Sequence, residues 1–424
     1  MPAAEVLPLL PDAPQAKALP DLSPEAEASV SFALDLGSAL HKYGVPAHRL
    51  ETLLTHVTGR LQLQAQFVSF PTAILASFGR PESLRTGVIR VEPGELDLGK
   101  LSDLDALAER FIRGECSVTE GRERLQRILG VPQRFPSWLV LLCHVIASAS
   151  AARLFGGHLR EILVAALIGC IVGPLSLAAQ GVPVRARVLE ATAAFLATLL
   201  AAAAAHRFGS ISVEVATLAG LIVLLPGLSL TVALTEVTTR NLVSGTARLT
   251  AVALVFLQLA FGVGLGAKIA GLAFVRTPML TEEALPPWTM GLAIVLITLA
   301  LVVLFQAKVR DTGWVLLATA VAYGGSKFGS RYLGPELGAF LGALLLGSMA
   351  NLISSRWGRP TLVLTIPGLM LLVPGSRGFR SVQSLLDSDI ITGIDTAFSM
   401  VLVGVAIVAG LLLANALFPA RKVL

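Results

Sequence analysis

Beyond residue 136 the chain is a succession of apolar runs broken by short polar stretches. Ten such runs can be read, at 137–152, 161–180, 189–205, 212–228, 249–267, 288–306, 312–326, 336–353, 360–374 and 396–417. A straight membrane span needs about 20 predominantly apolar residues. Several runs are shorter, but Arg, Lys, Pro or Gly marks most of their ends, and the pattern predicts about ten transmembrane helices. Residues 25–134 follow a different rhythm. Glu25–Tyr43 reads as a helix stopped by Gly44, and Pro46 opens another, in which Leu50, Leu53, Leu54, Val57 and Leu61 share one face. Phe67–Phe70, Ile74–Phe78 and Gly87–Val91 are β-compatible runs parted by Pro71, Gly79 and Pro81. Leu101–Arg113 is helical again, with Gly114 as its stop. Ser117 and Glu120 form a capping box for a last helix closed by Gly130. The expectation is a soluble α+β domain over 25–134, behind a disordered leader at 1–24.

Composition sharpens this division. The chain is 54% hydrophobic and only 14% charged, against roughly 25% charged in soluble domains. Residues 1–134 hold 14 Lys/Arg and 17 Asp/Glu, whereas 135–424 hold the other 19 and 11. The basic balance therefore belongs to loops flanking a bilayer, not to a nucleic-acid surface. The first 24 residues contain six prolines and no Lys or Arg before Lys17, so no secretory signal is expected. Cys116, Cys143 and Cys170 form no disulfide or zinc pattern. No metal and no cofactor are expected.

A weak internal repeat runs through the apolar part. Phe135-Pro136-Ser137-Trp138 returns as Leu285-Pro286-Pro287-Trp288, Leu224-Leu225-Pro226-Gly227 as Leu372-Val373-Pro374-Gly375, and Thr246-Ala247 as Thr396-Ala397, with offsets near 150 residues. The expected architecture is a first repeat at 135–275 and a second at 285–424. Five spans each is an odd number, so the second repeat must be inverted, as in many secondary transporters with a midplane substrate site. Basic residues divide almost evenly between the two sets of loops and do not orient the chain. A folded, signal-less N-terminal domain places both termini in the cytoplasm.

The candidate chemistry lies at the breaks. Pro226-Gly227, Pro367-Gly368 and Pro374-Gly375 interrupt apolar segments, where proline removes a backbone donor and glycine lets the chain bend, freeing polar backbone for a ligand. The plainer reading of each pair is a kink. Thr231, Thr235, Glu236, Arg240, Asn241, Ser244 and Arg248 follow the first break, and Glu236 and Arg240 are spaced to pair on a helix. Arg377, Arg380, Asp387, Asp389 and Asp395 follow the last. Charges at membrane depth suggest proton relays or substrate ligands, and at an interface they are merely solvated. His41, His48, Arg49, Glu51 and His56 read as a solvated helix face of the soluble domain, with hydrolytic or metal chemistry as the rival. No GxxxxGK[ST] phosphate cradle occurs, which leaves ion or proton gradients as the energy source.

These residues together resemble the threonine/serine exporter family. The soluble domain carries a G-x-x-x-x-R-x-E segment at Gly44, Arg49 and Glu51, and a P-T-x-I-x-x-S segment from Pro71-Thr72 to Ser77. An N-x-x-S-G-x-A-R-L run follows Pro226-Gly227 and Glu236, at Asn241–Leu249. Arg359-Pro360, Pro367-Gly368-Leu369 and the run Leu372 to Arg380 are similar to the companion exporter domain. The resemblance implies a non-enzymatic exporter of threonine, serine or a similar small polar metabolite, driven by the proton-motive force across a bacterial cytoplasmic (inner) membrane. Its partners would be that metabolite, protons, lipid and, in some assemblies, further copies of itself. Relatives with the two halves split into separate chains imply a succinate-type dicarboxylate as an alternative cargo. A membrane-anchored hydrolase using the soluble domain is a further alternative.

Overall fold

The computed structural model describes residues 24–79, 84–92, 94–209, 211–274, 285–372, 375–386 and 388–419. The expected leader before Pro24 lies outside them, as do Pro374 and Asp387. The chain is mostly helical, with one small sheet.

Residues 24–130 form a compact unit of α1 (Pro24–Lys42), α2 (Ala47–Arg60), β1 (Ala65–Phe70), β2 (Ala73–Phe78), β3 (Arg85–Arg90), α3 (Leu98–Ile112) and α4 (Val118–Gly130). Gly44, at φ +89°, takes the left-handed position that ends α1, while Val45 N–H reaches back to Leu40 O. The strands are antiparallel in the order β1-β2-β3, and Phe70 pairs with Ala73, so Pro71-Thr72 is a two-residue hairpin turn. Ser117 caps α4 through the Glu120 N–H, but the Glu120 carboxylate turns to Arg124, so only half of the expected box forms. Phe32, Leu36, Leu50, Leu54, Leu101 and Leu104 fill the core. That core runs without a gap into Val315, Ala318, Leu364 and Ile366 of the apolar part.

The apolar part comprises α5 (Ser137–Leu154), α6 (Leu159–Ala179), the single-turn α7 (Pro183–Ala186), α8 (Leu189–Phe208), α9 (Val213–Gly220), α10 (Gly227–Thr238), α11 (Leu242–Ala273), α12 (Trp288–Leu304), α13 (Thr312–Leu333), α14 (Pro335–Trp357), α15 (Thr361–Leu372), α16 (Gly375–Leu386) and α17 (Ile390–Leu417). By length and composition seven helical stretches among the described residues could cross a membrane, and the bent pair α9–α10 would make an eighth. Of the ten runs read from sequence, α12 is only 17 residues long, and α13, whose last turns carry Lys327 and Arg331, is not among the seven. Leu163, Leu167, Leu257, Phe261, Phe398 and Val405 stand exposed on outer helix faces. Such surface suits lipid contact and is a liability in water.

Helix ends are pinned across the fold. The N–H groups of Arg134 and Phe135, just before α5, donate to Gln306 Oε1 just after α12, at 2.9 and 3.2 Å. Arg153 near the far end of α5 donates to Thr289 Oγ1 at the start of α12, at 2.8 Å. These packed helices therefore run antiparallel, and the chain enters α5 and α12 from opposite faces. The face carrying the N-terminal domain is called proximal below and the other distal. Helices approach closely through small residues, as membrane helices do. A Cβ at Gly262 of α11 would lie 2.3 Å from Ala191 O of α8, and one at Gly410 of α17 would lie 2.5 Å from Phe340 O of α14. Gly262→Val is expected to destabilise the detergent-solubilised protein by at least about 1–3 kcal/mol through overpacking, read as a fall in the thermal unfolding midpoint. Gly271→Val, where nothing lies within 4 Å of the added carbon, is expected to leave it unchanged.

Candidate functional site

The Pro226-Gly227 break is formed as its sequence suggests. Helix α9 ends at Gly220, a short 3-10 turn spans Ile222–Leu224, Leu225 is extended, and α10 restarts at Gly227 with the path bent by 56°. Pro367-Gly368 behaves otherwise: it lies inside the helix α15, and a Cβ on Gly368 would sit 2.7 Å from Leu346 of α14. It is a close-packing position, and the expected break there does not form. Gly375 opens α16, and a Cβ built on it would lie 3.5 Å from Gly227 Cα. The starts of α10 and α16 thus meet near the middle of the fold, beside an apolar cavity of about 170 Å³ lined by Ile222, Leu225, Tyr323 and Met370.

Helix α10 delivers Glu236, which has no exposure to solvent, to the proximal face. Its carboxylate accepts from Arg248 Nε at 2.9 Å, from Ser244 Oγ at 2.8 Å and from the backbone N–H of Ala47 at 3.1 Å. The pairing with Arg240 expected from spacing is absent, because α10 stops at Thr238 and Arg240, at φ +66°, stands exposed on the reversal into α11. Asn241 closes that reversal through its N–H to Glu236 O. Gly245 lets α11 return tightly against α10, since a Cβ there would lie 2.6 Å from Val237 and 2.9 Å from Ala233 O. Ala47 is the first residue of α2, whose N-cap Pro46 has no side-chain acceptor to offer. Glu236 therefore supplies an acceptor to a helix N-terminus in the other unit, where the helix dipole favours an anion.

Of the residues expected on a solvated helix face, His56 is exposed, whereas His41 is buried and His48 and Arg49 lie where α2 docks. Arg49 donates to Thr361 Oγ1 at the start of α15, at 2.7 Å, and Glu51 accepts the Ser69 N–H at 2.7 Å. Burial pushes the Arg49 guanidinium down to about 10, with Asp105 nearby opposing the shift, so it stays charged at neutral pH. Burial, aided by the Arg49 charge, pushes His48 down to about 4. His41 is also lowered by burial, and its Nε2 contacts Phe70 O at 2.7 Å. Pro71 and Thr72 stay in their hairpin turn, where Thr72 O accepts the Val91 N–H. Elsewhere on this face Leu98 N–H donates to Phe305 O, Lys308 pairs with Asp103, and Gln180 donates to Glu95.

Two cavities open where the units meet. One of about 280 Å³ is lined by Thr231 and Thr235 of α10, Thr365 of α15, Asn351 of α14, Asn415 of α17, and Arg49, His48 and Arg248. A larger one of about 1190 Å³ lies between α1, α4, α5 and α6 and reaches Val223 and Leu224 beside the break. His144 lines it, buried in α5 with Nδ1 2.9 Å from Val140 O. Sequence reasoning passed over His144, Asn351 and Asn415, although a polar side chain inside an apolar run was a usable signal.

The remaining candidates lie on the distal face. Arg377 donates to Ser399 Oγ at 2.6 Å and lies 3.7 Å from Glu336, and Arg380 pairs with Glu214 at 2.9 Å. Asp389 caps α17 through the Thr392 N–H, and Asp395 is exposed. The residues following Pro226-Gly227 and those following Gly375 therefore form two clusters at opposite ends of the fold.

Glu236→Ala is expected to cost about 3–5 kcal/mol by stranding the largely buried Arg248, and to raise hydrogen exchange at Ala47, measurable by mass spectrometry. Acid should loosen the same docking. His48 is neutral when docked and ordinary when free, so the undocked form binds more protons below pH 6.5. Docking should weaken from pH 6.5 down to about 4, seen as rising exchange across 47–50. His48→Phe should flatten that dependence.

The comparisons with known proteins agree with this architecture. A family model described as "Putative threonine/serine exporter" matches residues 31–270, and one described as "Threonine/Serine exporter, ThrE" matches 290–417. Among curated proteins, "Pheromone-regulated membrane protein 10" of Eremothecium gossypii is 28% identical over 366 residues, covering 84% of this chain and 49% of that protein. The proteins of that name from Pichia sorbitophila and Saccharomyces cerevisiae are 27% and 26% identical, each over 84% of this chain, and over 37% and 47% of their own lengths. The chain thus spans half or less of the length of these relatives. No solved structure matches it. With both family models matched in order along the chain, the protein belongs to the threonine/serine exporter family.

Proposed function

We propose that the chain is a secondary active exporter of small polar metabolites, threonine and serine foremost. In this reading it works by alternating access between two inverted five-helix halves, 135–275 and 285–424, which make ten spans. The observation that carries this reading is the meeting of the Pro226-Gly227 break with the start of α16, where Gly227 and Gly375 bring the N-termini of α10 and α16 together. Half-helices ending at the midplane of an inverted repeat are a transporter arrangement suited to a substrate carboxylate.

Helix packing supports the inversion. Helix α8 packs on α11 as α14 packs on α17, and α10 on α11 as α16 on α17. Between the halves α10 meets α17 and α11 meets α16. Shifting Thr235 and Phe261 by the repeat offset leads to the neighbourhood of Gln383 and Leu411. The distal counterpart of the 280 Å³ cavity therefore falls between α11 and α16. There Phe256, Ala260, Phe379 and Gln383 leave no water-sized space. One cavity open and its counterpart shut is the asymmetry expected of a transporter facing its proximal side.

Glu236 is the proposed carrier of the coupling proton. Protonating it would weaken the pair with Arg248 and the acceptor for Ala47, so proton occupancy and docking of the N-terminal domain change together. That domain acts as a gate on the cytoplasmic side, with both termini there. The relatives named above are fungal membrane proteins and lend no support to a specifically bacterial membrane. A dicarboxylate remains the second reading because Arg49 and Arg248 face the cavity while Asp105 and Glu236 are not among its lining. A hydrolase is not favoured: Glu51 is held by the Ser69 N–H, and its family points to transport.

Counterflow in proteoliposomes with labelled threonine, serine and succinate tests the transport reading, and uptake of none of them would refute it. Glu236→Gln is expected to keep exchange at near wild-type rate and to lose accumulation against a gradient. Uphill transport at wild-type rate by that variant would reduce Glu236 to a docking residue.

A further inference from the structure

We propose that the 280 Å³ cavity is a binding site for a small metabolite with a carboxylate at one end and a hydrogen-bond donor at the other, and that the N-terminal domain builds part of it. The inference rests on the transport reading for its biological use, but the site is argued from geometry alone.

The cavity has two chemically distinct sides. Arg49 of α2 and Arg248 of α11 both line it. Arg248 is held by Glu236, and Arg49 hydrogen-bonds Thr361 with Asp105 nearby. Both guanidinium groups are thus among the described lining while neither carboxylate is. An anionic group entering there meets donors already fixed in position and largely dehydrated, which favours a carboxylate.

The other side is built from acceptors. Thr231, Thr235 and Thr365 each donate their hydroxyl hydrogen to the carbonyl four residues earlier, at 3.3, 2.8 and 3.0 Å. Their oxygens therefore present lone pairs. They come from two helix faces, since Leu228, Thr231, Val232 and Thr235 of α10 and Leu362, Thr365, Ile366 and Leu369 of α15 line the cavity at helical spacing. Asn351, buried in α14, bonds Asn415 of α17 amide to amide at 2.8 Å. Whichever way the amides are oriented, that single bond leaves one amide oxygen and one NH2 of the pair without a partner among the described residues. Asn415 is exposed near the end of α17, whereas the remaining amide group of the buried Asn351 is costly unless a ligand or water completes it. A water occupies about 30 Å³ of liquid, so the volume accommodates about nine waters, or one metabolite of similar size.

The position gives the site its use. Helix α10 runs from its contact with the start of α16 at Gly227 to the latch at Glu236, and its cavity-lining face lies between them. A ligand there touches the N-terminal domain and the membrane part at once. The domain is thereby a component of the binding site as well as its cover.

Titration calorimetry on the detergent-solubilised full chain tests this, with L-threonine, L-threonine amide, butyrate and succinate as probes. Threonine amide lacks the carboxylate, butyrate lacks the donor, and succinate has a second anion in place of the donor. Threonine is expected to bind saturably, and the amide and butyrate about tenfold or more weakly, the loss of one charge-assisted or well-placed hydrogen bond. Succinate should also be weaker, because its second carboxylate would face acceptors. Asn351→Leu, Thr365→Val and Arg49→Gln should each weaken threonine about tenfold, while Arg127→Gln on the exposed face of α4 should not. Thr365→Val changes one hydroxyl to a methyl and serves if the bulkier change impairs folding. Absence of threonine binding, equal binding of threonine and its amide, or unchanged binding in the folded cavity variants would overturn the proposal. Tighter binding of succinate than threonine would overturn its acceptor side. Counterflow of the same probes separates the two conclusions: transport that survives cavity variants with unchanged affinity refutes the site alone, and binding without any transport refutes the exporter reading alone.

Discussion

A carboxylate shut away from water must be surrounded by donors, and Glu236 is shut away completely. Moving such a group into a low-dielectric interior costs several kcal/mol unless charge and hydrogen bonds replace its hydration. Arg248, Ser244 and the Ala47 N–H perform that replacement. The requirement shapes the surrounding chain. Helix α10 must end soon after Glu236, α11 must fold back close enough for its first two turns to reach the carboxylate, and Gly245 must carry no side chain in that crossing. The third donor comes from the start of α2, a helix whose own cap residue cannot satisfy it. Each unit thus holds the partner that the other lacks.

That exchange makes the N-terminal domain part of the membrane fold's proximal face. It is fastened by Arg49 to Thr361, by Leu98 to Phe305, by Asp103 to Lys308 and by Glu95 to Gln180, besides the Glu236 latch. The joint apolar core beneath these contacts excludes a freely swinging module. Movement of the domain would have to break several contacts together, and the half-buried His48 beside them is held well below its ordinary pKa by burial.

The distal face is held differently. Arg377 and Arg380 project from α16 to Glu336 and Glu214, which start α14 and α9. These pairs are partly exposed and individually weak, whereas the proximal latch is buried. Between the faces the starts of α10 and α16 touch through glycine, and small residues let α8, α11, α14 and α17 pack almost backbone to backbone. The two ends of the fold are thus held by contacts of different strength, a buried latch at one and partly exposed pairs at the other.

The sequence by itself determined the local structure and the division of the chain. Gly44 and Pro46 set the α1–α2 boundary, Pro71-Thr72 the hairpin, and Pro226-Gly227 the break, because each acts through backbone torsions that need no distant partner. Apolar spacing likewise identified the N-terminal core and most of the membrane-competent helices. Tertiary structure decided the partners. Spacing offered Arg240 to Glu236 on the premise that the helix continues, but it ends at Thr238 and the chain reversal presents Arg248. Pro367-Gly368 carried the same local signal as Pro226-Gly227, yet packing against Leu346 keeps it helical. His48 and Arg49 looked solvated because an amphipathic pattern records which side is polar and not what that side meets. The cavity shared by α2, α10, α14, α15 and α17 joins residues more than 350 positions apart, and only folding brings such donors and acceptors within reach of one ligand.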